Sequence, residues 1–185
     1  MAGFGMQLVR SAGMEGFTGN TFHYPIDPAD TNPIFTGDPV AFGANGFVRE
    51  ATGGADNDDF DILGTFMGCY YVDAEGGMKF RQVWTGEAGA SEIMAYVAIP
   101  SHHSHFRIKG AAGATYTRAN TVGKRFGIDF NPGRMIYGES GAALAAAASA
   151  TGPLLVRGLY AYPGNTWDSE EPIFEVVIAR QQAAA

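Results

Sequence analysis

Apolar and polar positions alternate with a period of two through most of the chain after residue 33. In "TGDPVAFGANGFVREATGG", Val40 and Phe42 alternate with polar or small neighbours before a Gly43-Ala44-Asn45-Gly46 turn, and Phe47 and Arg49 resume the alternation after it. That is the period of a half-buried hairpin, with glycines where a tight turn needs them. The next stretch, "FDILGTFMGCYYVDAEGGMKFRQVW", reads as a long strand interrupted by Gly64 and Gly68, an Asp-Ala-Glu-Gly-Gly turn and a returning strand. Glycines inside a strand mark bulges or bends. "EIMAYVAIP", "HFRIKG", "RFGIDF", "PLLVRGLYAY" and "PIFEVVIARQ" complete the set. About nine to eleven short strands at even spacing predict an all-β domain, a small barrel or sandwich.

Two segments break this rhythm. Residues 1–33 carry Gly, Pro, Asn and Asp throughout, with Phe4, Phe17, Phe22 and Tyr24 set singly among them. The pattern supports at most one short strand, near Met6 to Arg10. An extended N-terminal arm that docks on another surface and a long loop wrapped over its own domain both fit. The second segment, "GAALAAAASA" at 141–150, has high helix propensity but no apolar stripe, and ten residues are marginal for a helix alone. It predicts at most one short helix, or a loop. The expected organisation is an arm at 1–33, a β domain at 34–180 and a flexible tail at 181–185.

Composition narrows the function classes. A chain of 185 residues with 46% hydrophobic content builds one domain with a proper core. Its 26 glycines are about twice the usual ~7%, and its 17% charged residues fall below the usual ~25%. A charge-poor surface is one that something else covers. The formal net charge of -7, with no basic stripe, argues against direct nucleic-acid binding. No apolar run approaches the ~18 residues of a membrane span, and "MAGFGMQLVR" lacks the build of a signal peptide. The single cysteine, Cys69, sits in "FMGCYYV" as a small buried thiol would.

The candidate chemistry begins with His102, His103 and His105 in "HHSH". In a strand, His103 and His105 share a face, a metal-chelating spacing. A cupin-like metalloenzyme would need a carboxylate a few residues later and another histidine far downstream. Phe106-Arg107-Ile108-Lys109-Gly110 supplies no carboxylate, and the fourth histidine, His23, lies upstream in the arm. The cluster therefore reads as a solvated or interface-facing loop with no metal or other cofactor. "ADNDDFD", with Asp56, Asp58, Asp59 and Asp61, fails the calcium-loop pattern because Phe60 and Asp61 occupy its fifth and sixth positions. Gly138-Glu139-Ser140-Gly141 is one residue short of a nucleophile elbow and has no downstream histidine. Gly110 to Gly113 lacks the Lys-Ser/Thr of a phosphate loop, and Glu170-Glu171 lies in a polar loop. No catalytic constellation emerges, so the chain reads as a non-enzyme. Trp84 and Trp167 are conceivable sugar-stacking platforms, though tryptophans are more often buried or at interfaces.

The order of segments "TGDPVAFGANGFVREATGG", "DFDILGTFMGCYYVDAEGG", "FRQVW", "AYVAIPSHHSHFRIKG" and "YGESGAA…PLLVRGLYAYPGNTWDSEEPIFEVVIARQ" resembles the capsid decoration (cement) proteins of tailed phages over nearly the whole chain. Each motif alone has low specificity, and the weight rests on order and spacing. The histidine cluster stands where that family carries an acidic or proline-bearing turn. The resemblance implies a non-enzymatic virion protein, made in the host cytoplasm and bound to the outer capsid surface. Its partners would be the major capsid protein of an HK97-like shell and further copies of itself, as a trimer or dimer. On that reading the arm makes the shell contact through Phe4, Met6, Phe17, Phe22 and Tyr24. The alternatives are another virion component, such as a tail or head-fibre protein, and, more remotely, the cupin-like metalloenzyme.

Overall fold

The computed structural model describes residues 4–10, 21–52, 60–100 and 104–182. Among these the chain forms fourteen strands and one helical turn. The strands are β1 (Gln7–Arg10), β2 (Phe22–Pro25), β3 (Ile34–Phe35), β4 (Pro39–Phe42), β5 (Val48–Glu50), β6 (Gly64–Val72), β7 (Met78–Arg81), β8 (Val83–Trp84), β9 (Ser91–Ala98) and β10 (His105–Lys109). After the helix α1 (Arg118–Thr121) come β11 (Arg125–Asp129), β12 (Ala143–Ala148), β13 (Leu154–Leu159) and β14 (Ile173–Ile178). The fold is all-β, as the alternation predicts, and no sheet closes into a barrel. The count exceeds nine to eleven because β2, β3 and β8 are too short or too irregular in pattern to register in sequence.

Two six-stranded sheets carry the architecture. One has the order β1-β10-β14-β13-β11-β12, and the other β2-β9-β6-β4-β5 with β7 also paired to β6. A two-stranded ribbon pairs β3 with β8. Each large sheet has its own hydrophobic cluster. Phe106, Ile108, Phe126, Ile128, Leu144, Leu154, Val156, Phe174 and Val176 pack in the first. Ile34, Val40, Phe66, Tyr71, Trp84, Ile93 and Val97 pack in the second. Alternate residues of β10 and β14 are buried, so period-two patterning becomes one-sided burial. The first sheet curls until Gly110 pairs with Leu144, and the Leu144 carbonyl accepts the Ala111 N–H at 3.0 Å.

The hairpins form where the glycines foretold them. Phe42 faces Val48 across the first turn, where Gly46 adopts a φ of 79°. Asp73 Oδ1 accepts the Gly77 N–H at 2.6 Å and the Glu75 N–H at 3.1 Å in the second. Those bonds hold the Asp73 carboxyl below the usual carboxylate range, the Gly77 bond most of all. Gly68 sits at a register shift in β6 with a φ of 134°, the bulge its position predicts.

The leading segment does not stand apart. β1 pairs with β10 and β2 with β9, and Met6 is wholly buried in the first cluster. The far end reciprocates. Gln182 Oε1 accepts the Phe42 N–H at 2.7 Å, and Gln181 donates to the Pro100 carbonyl at 3.0 Å. Chain from one terminus therefore staples the sheet built from the other half, and Gln181 and Gln182 belong to the structure.

The Ala-rich segment departs from expectation, because Ala143–Ala148 is the strand β12 and not a helix or loop. Leu144, wholly buried, faces Ile128 of β11. The pairing partner along β11, absent from any local propensity, decides the conformation. The observed helical turn lies at 118–121, capped reciprocally. Asn120 N–H donates to Thr117 Oγ1 at 3.3 Å, and Thr117 N–H to Asn120 Oδ1 at 2.7 Å.

Candidate functional site

The sequence-derived contact residues occupy different environments. Phe4 is half-buried beneath two cations, with the Arg107 guanidinium 5.1 Å and the Lys109 ammonium 5.8 Å from its ring centroid. Met6 is a core residue, so its side chain stabilises this chain and presents no surface. Phe17 lies outside the described residues. Tyr24 meets Phe42 edge-on at 5.1 Å, and burial raises its hydroxyl's pKa. Phe22 is 47% exposed on β2, a strand whose one partner among the described residues is β9.

The candidate chemistry disperses. His102 and His103 lie outside the described residues. His105 Nδ1 stands 2.5 Å from Glu175 Oε1 in the first sheet, while His23 packs edge-on against Tyr96 in the second. Among the described residues no group of three His, Cys, Asp or Glu side chains converges to hold a metal. Of the acidic run, Asp56, Asp58 and Asp59 lie outside the described residues, and Asp61 binds Arg180 at 2.9 Å. Ser140 is buried, and its Oγ accepts the Ala142 N–H at 2.9 Å. Glu171 meets Lys109 at 3.1 Å. At Gly110 an added Cβ would sit 2.6 Å from the Tyr116 ring, so this glycine serves packing. Trp84 is buried with its Nε1 donating to the Asp30 carbonyl at 3.0 Å, and Trp167 packs on Phe174. Trp84 is therefore no open platform, whereas Trp167 is half-buried and lines a cleft of about 550 Å³ with Tyr116 and Arg118. Burial pushes the Cys69 thiol up to about 12, leaving it inert at neutral pH.

Two carboxyls are held under electrostatic stress. Asp38 is buried and its pKa is pushed up to about 6, although Ser140 and the Phe35 N–H, 2.7 Å away, oppose the rise. Glu50 is pushed up to about 7, first by burial and then by the Asp38 charge. It lines a cleft of about 410 Å³ with Asp30, Phe35, Arg49 and Phe130. A carboxyl poised near neutrality in a cleft is a candidate acid or base. Among the described residues lining this cleft, however, there is no serine, cysteine or histidine for it to activate.

The most exposed apolar surface is one that sequence reading passed over. Met135, Ile136 and Tyr137 form the tip of a turn and are 57%, 90% and 59% exposed. The turn is built to hold them out. Arg134 N–H donates to the Glu139 carbonyl at 2.7 Å, and Tyr137 N–H to the Arg134 carbonyl at 3.1 Å. Gly138 takes a φ of 65°, and the Arg134 guanidinium lies 5.5 Å from the Tyr137 ring centroid. At the base, Thr36 N–H donates to the Gly138 carbonyl at 3.0 Å and Thr36 accepts from Ser140 N–H at 3.0 Å. The tip is thus tied to the β3–β8 ribbon. Its only sequence signal is three apolar residues in succession between Gly133 and Gly138, which resembles a short buried strand.

The fold and this surface define a class: an all-β chain of two clasped, curled sheets that projects a hydrogen-bonded apolar tip. No protein-family profile, no curated protein and no solved structure matches the chain.

Proposed function

We propose that this chain is a non-enzymatic structural virion protein that coats an assembled tailed-phage capsid and reinforces contacts between major capsid protein subunits. The order of sequence segments supports the reading, as does an all-β architecture whose polar groups serve turns and ladders. One observation carries it: Ile136, 90% exposed at the end of a braced turn flanked by Met135 and Tyr137. Folding alone does not select three consecutive exposed apolar side chains. A protruding anchor that fills a pocket on another molecule does.

The energetics suit a coat. Burying one such side chain contributes about 1.5–3 kcal/mol. The tip alone is therefore a weak anchor, and its neighbours supply the rest of an interface. Many copies on one shell add up, and binding only to assembled capsid shifts equilibrium toward the assembled state. Among the described candidates of the leading segment Phe22 is the open side chain, since Phe4 is half-buried under Arg107 and Lys109, Met6 is in the core and Tyr24 is packed on Phe42, while Phe17 lies outside the described residues. Truncating residues 1–33 would remove β1, β2 and the core side chains Met6 and Ile26, so point variants make the sharper experiment.

Purified protein is mixed with capsids lacking it, and occupancy is measured by sedimentation and imaging. Wild type is expected to coat the shell, and Ile136→Asp to lose at least tenfold in occupancy while keeping wild-type thermal stability. Wild-type protein that ignores intact capsids defeats the proposal. Equal occupancy by Ile136→Asp moves the contact away from the tip.

A further inference from the structure

The outer face of the second sheet carries a row of rings that the capsid reading does not use. Alternation along β2, β9, β6 and β7 turns His23, Tyr96, Tyr70 and Phe80 to the same side, with His23 opposite Tyr96 and Tyr70 opposite Phe80. The His23 and Tyr96 rings lie 4.6 Å apart, Tyr96 and Tyr70 5.6 Å, and Tyr70 and Phe80 6.0 Å. Tyr96 and Phe80 are two strands apart, about 9.5 Å by strand spacing. Their rings nonetheless come within 6.3 Å at an interplanar angle of 18°. Gly68 stands opposite Tyr96 on the strand between them and has no side chain to keep them apart. Met94, opposite Tyr70, extends the face, and Phe80 is 67% exposed.

Three properties identify what such a face would hold. The first is charge: none of these side chains is a carboxylate, ammonium or guanidinium, in a chain of net charge -7. A charged partner finds no counter-charge here. The second is the polar rim. Among the described residues, the Tyr70 and Tyr96 hydroxyls and the His23 imidazole make no hydrogen bond, so apolar ring faces sit beside uncharged groups free to donate or accept. The electron-rich face of an aromatic ring attracts polarised C–H bonds, and a pyranose offers a C–H face bordered by hydroxyls. The third is size. Four strands span about 14 Å, and the His23, Tyr70 and Phe80 ring centroids all lie within 6.3 Å of that of Tyr96, so the face covers at most roughly 200 Å². A stable protein interface needs about 800 Å² per partner. A second copy falls short by about fourfold, whereas a few sugar units fit within the face.

We propose that this face binds a neutral oligosaccharide, stacking sugar rings on Tyr96, Tyr70 and Phe80 with hydroxyls bonded to the two tyrosines and His23. The face shares no side chain with the Met135–Tyr137 tip, whose base at Gly138 lies against Gln82, two residues along from Phe80, and sugar binding does not depend on capsid binding.

Calorimetric titration with cellohexaose, maltohexaose and chitohexaose tests the assignment. At least one of the three is expected to bind with a Kd on the order of 0.1–1 mM, the range for a small, solvent-open ligand. Phe80→Ala and Tyr96→Ala should each weaken that binding at least tenfold, and Tyr96→Phe only a few-fold, because it keeps the stacking and loses one hydroxyl. Circular dichroism and thermal melts establish that the variants fold. No saturable heat with any of the three sugars overturns the proposal, as does sugar binding that both alanine variants leave intact. Two further results would overturn it by giving the face another occupant: a wild-type dimer that Phe80→Ala dissociates in sedimentation equilibrium, or loss of capsid occupancy by Phe80→Ala without any sugar binding.

Discussion

Replacing Glu50 with glutamine should stabilise this protein at alkaline pH and leave it unchanged in acid. The Glu50 carboxyl is half-buried, makes no hydrogen bond or ion pair among the described residues, and lies close enough to Asp38 to feel its charge. Its pKa rises from an ordinary 4.5 to about 7. The unfolded chain therefore releases this proton near pH 4.5, while the folded chain keeps it until about pH 7. Across that window the folded state binds more protons, so stability falls as pH climbs and is level above it. A displacement of this size corresponds to about 3 kcal/mol, and partial solvent access screens it to about 1–2 kcal/mol. Glutamine has the same shape and no charge, so Glu50→Gln should recover that amount at pH 8 and almost nothing at pH 4.5. For a chain of this length the gain is about 2–8 °C in Tm. Thermal unfolding of wild type and variant from pH 4.5 to 8.5, followed by circular dichroism, reads it directly. Equal Tm differences at both ends of the range, or a variant less stable at pH 8, would refute the electrostatic reasoning.

Two other outcomes follow from single side chains. Tyr116 is buried and its hydroxyl joins Ala111 N–H at 3.0 Å to the Leu144 and Ala145 carbonyls at 2.9 and 3.0 Å. Tyr116→Phe removes a hydroxyl from the Leu144 and Ala145 carbonyls while the Ala111 N–H keeps its bond to the Leu144 carbonyl, and should cost about 0.5–1.5 kcal/mol in denaturant unfolding. Ala147 is exposed in β12, so Ala147→Thr should be neutral or stabilising by up to about 1 kcal/mol, where a helix would lose about 0.5 kcal/mol. A clear loss in the melting curve would count against the strand.

Legibility in the sequence followed the range of the interaction. The β4–β5 and β6–β7 hairpins could be read because their turns are local: glycines reach positive φ, and Asp73 binds amides two and four residues on. The Gly68 bulge could be read for the same reason. The helical turn at 118–121 was missed because its capping box uses asparagine where glutamate or glutamine is the familiar signal. The Met135–Tyr137 tip was missed because an apolar triplet between glycines has the same pattern whether it points inward or outward. The aromatic face was missed because His23, Tyr70, Phe80 and Tyr96 come from four strands, and no linear spacing joins them.

By itself, then, the chain's alternation, glycine placement and low charge determined that it is all-β, where its long hairpins turn, and that Cys69 lies inside. Tertiary structure alone decided which strands are neighbours, and with that the strand conformation of Ala143–Ala148, the burial of Met6 and the meeting of four rings on one face. The physical reason is that a strand's hydrogen bonds go to a partner far along the chain. Periodicity fixes which side of a strand is apolar, and only pairing fixes what that side meets.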